Sequence, residues 1–569
     1  MTERKRPHDD TPSEAAGTTA PPRREFLKAS AAAAGATLLS SCFGGGDDGD
    51  PSAVGAVAVD PLSRFDHLVV VMYENRSLDN VLGWLYPAGS GFDGLADGSY
   101  TNPVPSYIND GHSSVAARKS PGTAADMQNP NPDPGEPYPH VNTQLYGTVL
   151  PESNRFRAAA DMQAPYNAPP ANTVAGMHGF VEDYCDTFVS TNGRNPTFDE
   201  YRVIMDAFTP EQLPVYSTLA KSFAVYDAWF CAVPSQTYCN RSFFHASTSS
   251  GYVLNEPYQK WLLGNTAPTI FNRLQEAGRT WRVYFDETQL VPLTGLIHAS
   301  VLAPYFKSHF ATMQDFYADV AGGTLPDYAF VEPRMLFNHN DMHPPGPLVI
   351  GNVSIPDPSD VRCGDLLLHQ IYSAVKASAS TKGSNALNTL LLATFDEHGG
   401  CFDHVRPPGA KTPEKIQPAG EMDFFFDRLG VRVPTIAISA YTGAGTIVKR
   451  HVHHAAVIRS LCAKFGLPHL TERDVDAPSL ADAVNLAAPR DPSTWPVTVP
   501  PPQPPGSGNT DPLSPQLADV PLNQLEQHIL ATAVAYFTGK EPDKSALPQT
   551  VGAAYRMLLP LAAGVFGGG

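Results

Sequence analysis

Residues 65–73 read FDHLVVVMY, and the next four are Glu74, Asn75, Arg76 and Ser77. The run is short, rich in valine and almost wholly apolar, with Pro61 before it and a polar turn after it. That is the pattern of a strand buried on both faces of a parallel sheet. Residues 388–395 (NTLLLATF) have the same character and stop at Asp396, Glu397, His398, Gly399 and Gly400. A third such run covers 431–439 (VRVPTIAIS), where Pro434 limits pairing at one end. Residues 78–85 predict a short helix, and helical patterns at 211–221 and 365–377 lie between the apolar runs. Strands alternating with helices predict an α/β fold built on a mixed, mostly parallel sheet.

The rest of the composition fits that frame. The chain has 569 residues and a formal net charge of −18; it is 42% hydrophobic and 10% aromatic, which excludes a mostly disordered chain. The acidic balance excludes a general nucleic-acid binder, which needs a basic footprint. Only 17% of residues are charged, while 55 are Pro and 45 Gly, so long ordered loops are expected. Residues 86–175, 338–360 and 399–422 show little periodicity and are read as insertions arching over one edge of the sheet. Residues 485–518 contain ten prolines, a semi-rigid linker or surface strap. A helix follows with Leu522, Leu525, Ile529 and Leu530 on one face, ending near Phe537. No repeat is present, and no stretch after residue 42 offers the 18 apolar residues of a membrane span.

The first 22 residues are polar. Arg23 and Arg24 are followed by Phe26, Leu27 and an alanine-rich run to Leu39, which resembles a twin-arginine export signal; Pro22 stands where a small polar residue is usual. Leu39-Ser40-Ser41-Cys42 resembles a lipobox, which implies acylation of Cys42 and a membrane-anchored mature chain at the cell envelope or extracellular face. Removing residues 1–41, which hold six basic and five acidic residues, takes the charge to −19. The Gly- and Asp-rich segment 42–60 is expected to be a flexible tether.

Glu74 and the Asp396–Glu397 pair each follow an apolar strand, and open α/β sheets bind ligands at the carboxyl ends of their strands. Each acid taken singly is explained as a helix cap or first-turn acid. Three carboxylates converging with Asn75 make an oxygen-rich site for a hard or borderline divalent cation.

These residues also resemble a known family. Glu74-Asn75-Arg76-Ser77 matches the E-N-R-S signature of the bacterial phospholipase C and acid phosphatase phosphoesterases. Asp396-Glu397-His398-Gly399-Gly400, with Phe402-Asp403-His404-Val405 and Pro407-Pro408, matches their D-E-x-G-G-x-x-D-H-V-x-P-P block. Residues 235–241 (SQTYCNR) are similar to G-P-T-x-P-N-R, with Ser235, Gln236 and Cys239 departing from it. Residues 328–333 and 341–345 (DMHPP) resemble two later pieces. The resemblance implies an alkaline-phosphatase-like core. It implies one divalent metal ion (calcium, magnesium, manganese, zinc or iron) held by Glu74, Asn75, Asp396, Glu397 and a nucleophilic Thr237.

Cation coordination lowers the pKa of a threonine hydroxyl and positions it, and Thr237 precedes a probable helix at 240–247 whose N–H groups favour phosphate. The expected reaction is in-line attack on phosphorus through a phosphothreonine. His343 and His140, each in a proline-rich loop, are the expected partners for the leaving group. Asn240, His178, His404 and Asp341 are candidate substrate contacts. His454 keeps a histidine of the family's D-H-T-S block, while the acid is lost. His451, His453 and His454 are discounted as a zinc site.

The implied domains are signal 1–41, tether 42–60, phosphoesterase domain 61–484, linker 485–518 and helical segment 519–569. The implied substrate is a glycerophospholipid diester, with a phosphomonoester as the alternative and a silent anion-binding lipoprotein as the reading from another class. A lipid head group calls for an aromatic lining, which Tyr86, Phe92, Tyr100, Tyr107, Tyr138, Tyr146, Phe156 and Tyr166 are placed to supply. Once Cys42 is set aside, Cys185, Cys231, Cys239, Cys363, Cys401 and Cys462 permit up to three disulfides. A Cys231–Cys239 bridge would brace Thr237, and one from Cys401 would brace the metal site. Buried free thiols are the alternative.

Overall fold

A run of seven residues, His67–Tyr73, forms strand β1 with six of them buried, and it lies at the centre of an eight-stranded sheet. The computed structural model describes residues 60–345, 349–350, 353–354 and 359–567. The expected export signal, Cys42 and all but the last residue of the tether lie outside them. Residues Val59–Gly569 cluster as one unit.

The other strands are β2 (Ala224–Tyr226), β3 (Trp281–Phe285), β4 (Phe310–Thr312), β5 (Tyr328–Glu332), β6 (Thr389–Phe395), β7 (Thr435–Ile438) and β8 (Thr446–Val448). Their order across the sheet is β8-β2-β7-β6-β1-β5-β3-β4. β1 pairs in parallel with both neighbours, Val70 opposite Leu392 on one side and Phe330 on the other. β7 alone runs against the rest. The mostly parallel α/β sheet expected from the apolar runs is therefore present. The third run joins the sheet as a strand only from Thr435, after Pro434, while residues 431–433 make isolated backbone contacts with 229–231.

Helices α1 (Leu78–Leu82), α2 (Tyr138–Tyr146), α3 (Phe180–Asn192), α4 (Pro214–Ser222), α5 (Thr237–Ala246), α6 (Val361–Ala377), α7 (Ala455–Phe465), α8 (Gln524–Thr538) and α9 (Val551–Ala562) surround the sheet. α5 begins at Thr237, three residues earlier than its sequence pattern suggests, because every residue of its first turn is buried. α6 places Asp365 against the start of α4, where its carboxylate accepts from the Val215 and Tyr216 amides at 3.0 and 2.8 Å.

The proline-rich stretch lies against α6 as a strap. Lys376 donates to the Trp495 carbonyl at 2.9 Å and Tyr372 to the Pro496 carbonyl at 2.8 Å, with the Trp495 ring buried. α8 seats Leu525, Ile529 and Leu530 in the main core. The insertion between β1 and β2 has a smaller core of its own, with Val141, Leu145, Phe180, Val181 and Tyr184 at its centre.

Two expectations are corrected here. All six cysteines among the described residues are unbonded and buried. The Cys239 thiol donates to the Gln236 carbonyl and the Cys231 thiol to that of Val233, so each sulfur is held within its own turn and not bridged to the other. The insertion aromatics are mostly packing groups: Phe92 and Tyr138 are in the main core, Tyr100 packs at a tilt against His404, and the Tyr107 hydroxyl bonds Asp186.

Among the described residues no helix is long and apolar enough to cross a membrane.

Candidate functional site

β1 and β6 end side by side, so the residues after them meet at one edge. Asn75 adopts φ 59°, a left-handed conformation that asparagine tolerates better than most side chains. Its amide donates to Asp396 Oδ1 at 3.1 Å, and the Glu397 amide donates to the same oxygen at 2.7 Å. Glu74 is held from behind, its amide donating to the Asp341 carbonyl at 2.9 Å. Gly399 lies directly over Asn75 with φ +59°; a Cβ there would overlap the Asn75 carbonyl oxygen and Cβ. Gly399→Ala is expected to displace Asn75 and cut turnover by about 100-fold, the usual effect of a 1 Å misplacement in an active site. Steady-state kinetics at saturating metal will measure this.

Thr237 opens α5 with its hydroxyl donating to Glu74 Oε2 at 3.2 Å. One turn on, Arg241 binds Glu74 through Nε at 2.8 Å and through Nη2, and its Nε stands 3.7 Å from Asp396 Oδ2. Glu74, Thr237, Arg241, Asp396 and Glu397 are all fully buried. Burial raises the Glu74 carboxyl well above its ordinary pKa against the pull of Arg241. Burial also raises Asp396, and burial together with nearby Glu136 raises Glu397. Three carboxyl groups here face one guanidinium.

The donor set fits a divalent cation. Asn75 Oδ1, Asp396 Oδ2 and Glu397 Oε1 are buried and have no hydrogen-bond partner, and unpaired oxygens in such a place are costly. With Glu74 and Thr237 they form an all-oxygen set suited to a hard or borderline ion. His454 fixes one edge of it, with Nε2 at 2.5 Å from the Asp396 carbonyl oxygen and Nδ1 accepting from Trp229 Nε1 at 3.2 Å.

His343 joins the group. Its Nε2 is 2.9 Å from Asn75 Nδ2 and 3.4 Å from Glu136 Oε1. Burial lowers the pKa of this ring, but Asp133 and Glu136 more than reverse the effect and take it to about 10. Asp341 accepts from the His343 amide at 3.0 Å and binds His339, which also meets Glu526 of α8 at 3.1 Å. Asp341 therefore fixes the 339–343 loop.

His140 is not in the site. α2 starts at Tyr138, which turns His140 towards α3, where Nδ1 pairs with Asp183 at 2.8 Å. Glu136, two residues before the helix, takes the place expected of it, bonding Asn75 Nδ2. Asn240 is engaged by the 233–236 loop: it accepts from the Val233 amide at 2.9 Å and donates to the Ser235 carbonyl at 2.7 Å. It braces the loop where the departures from the family block fall. His178 is exposed beside Gly147 and Gly176.

His404 belongs to a separate ion network. It pairs with Asp79 at 2.6 Å and Asp93 at 3.1 Å, while Arg432 binds Asp79 and Asp403, both at 3.0 Å. A guanidinium already balances these carboxylates. Burial lowers the His404 ring, but Asp79 and its neighbours overturn this and raise it to about 10. The folded state therefore holds the proton more tightly than the unfolded chain, where a histidine titrates near about 6.5. Its contribution is complete below pH ~6.5 and is lost as pH rises towards 10. His404→Gln is expected to flatten the fall in melting temperature across that window, as read by thermal denaturation against pH.

Glu136, Asp133, Arg241 and the bracing role of His454 have no place in the sequence reading. A cue for Arg241 exists: it lies four residues after Thr237, which puts both on one face of a helix.

Comparison with known proteins places the chain in a family. Residues 65–468 match the Phosphoesterase family. Non-specific phospholipase C3 of Arabidopsis thaliana is 29% identical over 467 residues, covering 79% of this chain and 78% of the relative. Non-specific phospholipase C1 of the same plant is 31% identical over 390 residues, covering 67% and 62%. Phospholipase C B of Mycobacterium tuberculosis is 26% identical over 469 residues, covering 76% and 80%. Among solved structures, a protein in the alkaline phosphatase superfamily from Vibrio parahaemolyticus overlaps 47% of this chain and 64% of its own at a TM-score of 0.29 and 10% identity. The chain belongs to the phosphoesterase family, and it is a hydrolase acting on phosphoric ester bonds.

Proposed function

We propose that this phosphoesterase is an exported, membrane-anchored phospholipase C that cleaves glycerophospholipid diesters through a covalent ester of Thr237. The observation that carries the reading is Thr237 Oγ1 at the start of α5, 3.2 Å from Glu74 Oε2, beside three unpaired buried oxygens. A metal-assisted nucleophile needs that grouping, and a passive anion binder does not. The names of the relatives support phospholipid as the substrate class. Arg23–Arg24 and Cys42 support export and anchoring.

Glu74, Asn75, Asp396, Glu397 and Thr237 would hold one divalent cation, which supplies positive charge to lower the threonine pKa and to neutralise phosphate. The Thr237 hydroxyl attacks phosphorus as its proton passes towards Glu74 Oε2. The Oγ–P bond forms and the bond from phosphorus to the glycerol oxygen breaks. His343, with Glu136 beside it, stabilises the leaving oxygen, which departs as the alcohol by taking up a proton that the water of the second step replaces. Arg241 keeps Glu74 oriented. Water then attacks phosphorus, and Thr237 leaves with its proton restored.

A cavity of about 300 Å³ supports a substrate route to this buried centre. It is lined by Pro137, next to Glu136, and by Gln236, next to Thr237, and by Leu254, Glu256, His528 and Lys544. His528 and Lys544 belong to the segment beyond residue 468, so the C-terminal region forms one wall. Neither this cavity nor a second cleft of about 280 Å³, lined by Phe285, Leu290, Leu559 and Phe566, is lined by the site residues themselves.

The test compares turnover of phosphatidylcholine, followed as released diacylglycerol, with that of a phosphomonoester. A higher kcat/KM on the diester is expected. Monoester hydrolysis alone would replace the reading with an acid phosphatase, and no turnover of either would remove it.

A further inference from the structure

We propose that this chain holds a second divalent cation, between Asp133, Glu136 and His343, next to the one assigned to Glu74, Asp396 and Glu397. The inference rests on the phosphoesterase reading of the site and specifies how the leaving oxygen is stabilised.

Ligand atoms of Asp133, Glu136 and His343 all lie within 4.8 Å of one another, and all three residues are buried. Each is of a type that binds divalent metals through oxygen or imidazole nitrogen. Two further observations point to an ion. Asp133 Oδ1 has no hydrogen-bond partner although the residue is only 5% exposed. His343 Nδ1 is bonded to the Pro344 carbonyl, which leaves Nε2 turned towards Glu136 at 3.4 Å and Asp133 at 4.0 Å, with Asn75 Nδ2 beside it at 2.9 Å. Histidine ligands to metals typically donate their other ring N–H to a carbonyl in this way.

Asn75 joins the two groups. Its backbone amide holds Asp396, its side-chain nitrogen touches both Glu136 and His343, and its Oδ1 is unpaired. It is thus positioned to bind either cation, or to separate them.

Charge favours two ions. Glu74, Asp396, Glu397, Asp133 and Glu136 are five buried carboxylates, and Arg241 and Arg76 are the buried guanidinium groups among them. The carboxyl groups outnumber the guanidinium groups by three, an excess that divalent cations would offset. Paired cations that clamp the attacking and leaving oxygens are an established way of stabilising an in-line displacement. The second ion is placed by His343 and Glu136 to face the leaving oxygen.

The experiment equilibrates the purified full-length chain with Mn²⁺ and counts bound metal by mass spectrometry, with electron paramagnetic resonance on the same samples. Two equivalents and an exchange-coupled manganese signal are expected. Glu136→Gln, and independently Asp133→Asn, are expected to reduce the count to one and leave an uncoupled six-line spectrum. A single equivalent at saturation in the unaltered chain, two uncoupled ions, or two equivalents retained in Glu136→Gln would each overturn the proposal. The count is independent of turnover: a coupled pair in a protein that cleaves no phosphate ester would refute the phospholipase reading and leave the second site standing.

Discussion

Thr237→Ala is expected to lower kcat by about 10⁴-fold or more, the scale seen when a catalytic nucleophile is removed. Alanine deletes the hydroxyl that donates to Glu74 Oε2 and leaves the helical backbone of α5 in place. Circular dichroism and melting temperature should therefore stay close to those of the unaltered chain. Thr237→Ser keeps an attacking oxygen and should retain activity within about tenfold. Acid quenching during turnover of phosphatidylcholine should trap phosphocholine on the peptide containing Thr237, and on no peptide of the alanine variant. Unchanged turnover in Thr237→Ala would place the nucleophile elsewhere and leave the cation ligands to be reassigned.

Arg241→Met is expected to destabilise the protein by about 3–5 kcal/mol, the cost of removing one partner from a buried ion pair. Arg241 is the cation touching both Glu74 and Asp396, and water cannot replace it at a fully buried position. The loss should grow with pH. Arg241 lowers the Glu74 pKa, so without it the folded state binds that proton more strongly, while the unfolded carboxyl still titrates near about 4.5. A carboxyl whose folded pKa is raised loses stability as pH climbs above its unfolded value. Thermal denaturation of the metal-free protein should thus show a larger deficit at pH 8 than at pH 5, and added divalent metal should reduce it. An equal deficit at both pH values would mean that Arg241 acts by packing alone.

The central pair of strands was legible because β1 and β6 each carry seven residues of nearly unbroken apolar character, and an acid follows each one. β2, β4 and β8 have three residues apiece, too few for any period to show, and exist because longer neighbours offer them a ladder. The proposed cation ligands after β1 and β6 were legible for the same reason as the strands: they are the first polar residues beyond them. Glu136 was not. It sits in a loop of prolines and glycine, where no periodicity reports direction, and its role depends on the spot at which α2 begins. His140 looked the better candidate because imidazole is the more usual proton carrier, yet one helical turn was enough to face it towards Asp183. His454 could be matched to a family block, but its grip on the Asp396 carbonyl depends on a contact across 58 residues of sequence.

The order of strands in the sheet has a consequence for how the chain is made. β1 is the first strand to leave the ribosome, yet β6, one of its two partners, begins 316 residues after β1 ends. At 5–20 residues per second that is a wait of roughly 15–60 s, and β5, the other partner, itself begins 255 residues after β1 ends, so the apolar segment lacks both neighbours for most of it. Pairing so distant in sequence also makes for slow folding and exposes the nascent chain to aggregation. Shielding of LVVVMY by a chaperone during synthesis would then govern how much folded enzyme a cell obtains, and replacing a valine of β1 by threonine should change yield in the cell well before it changes the melting temperature of the purified protein.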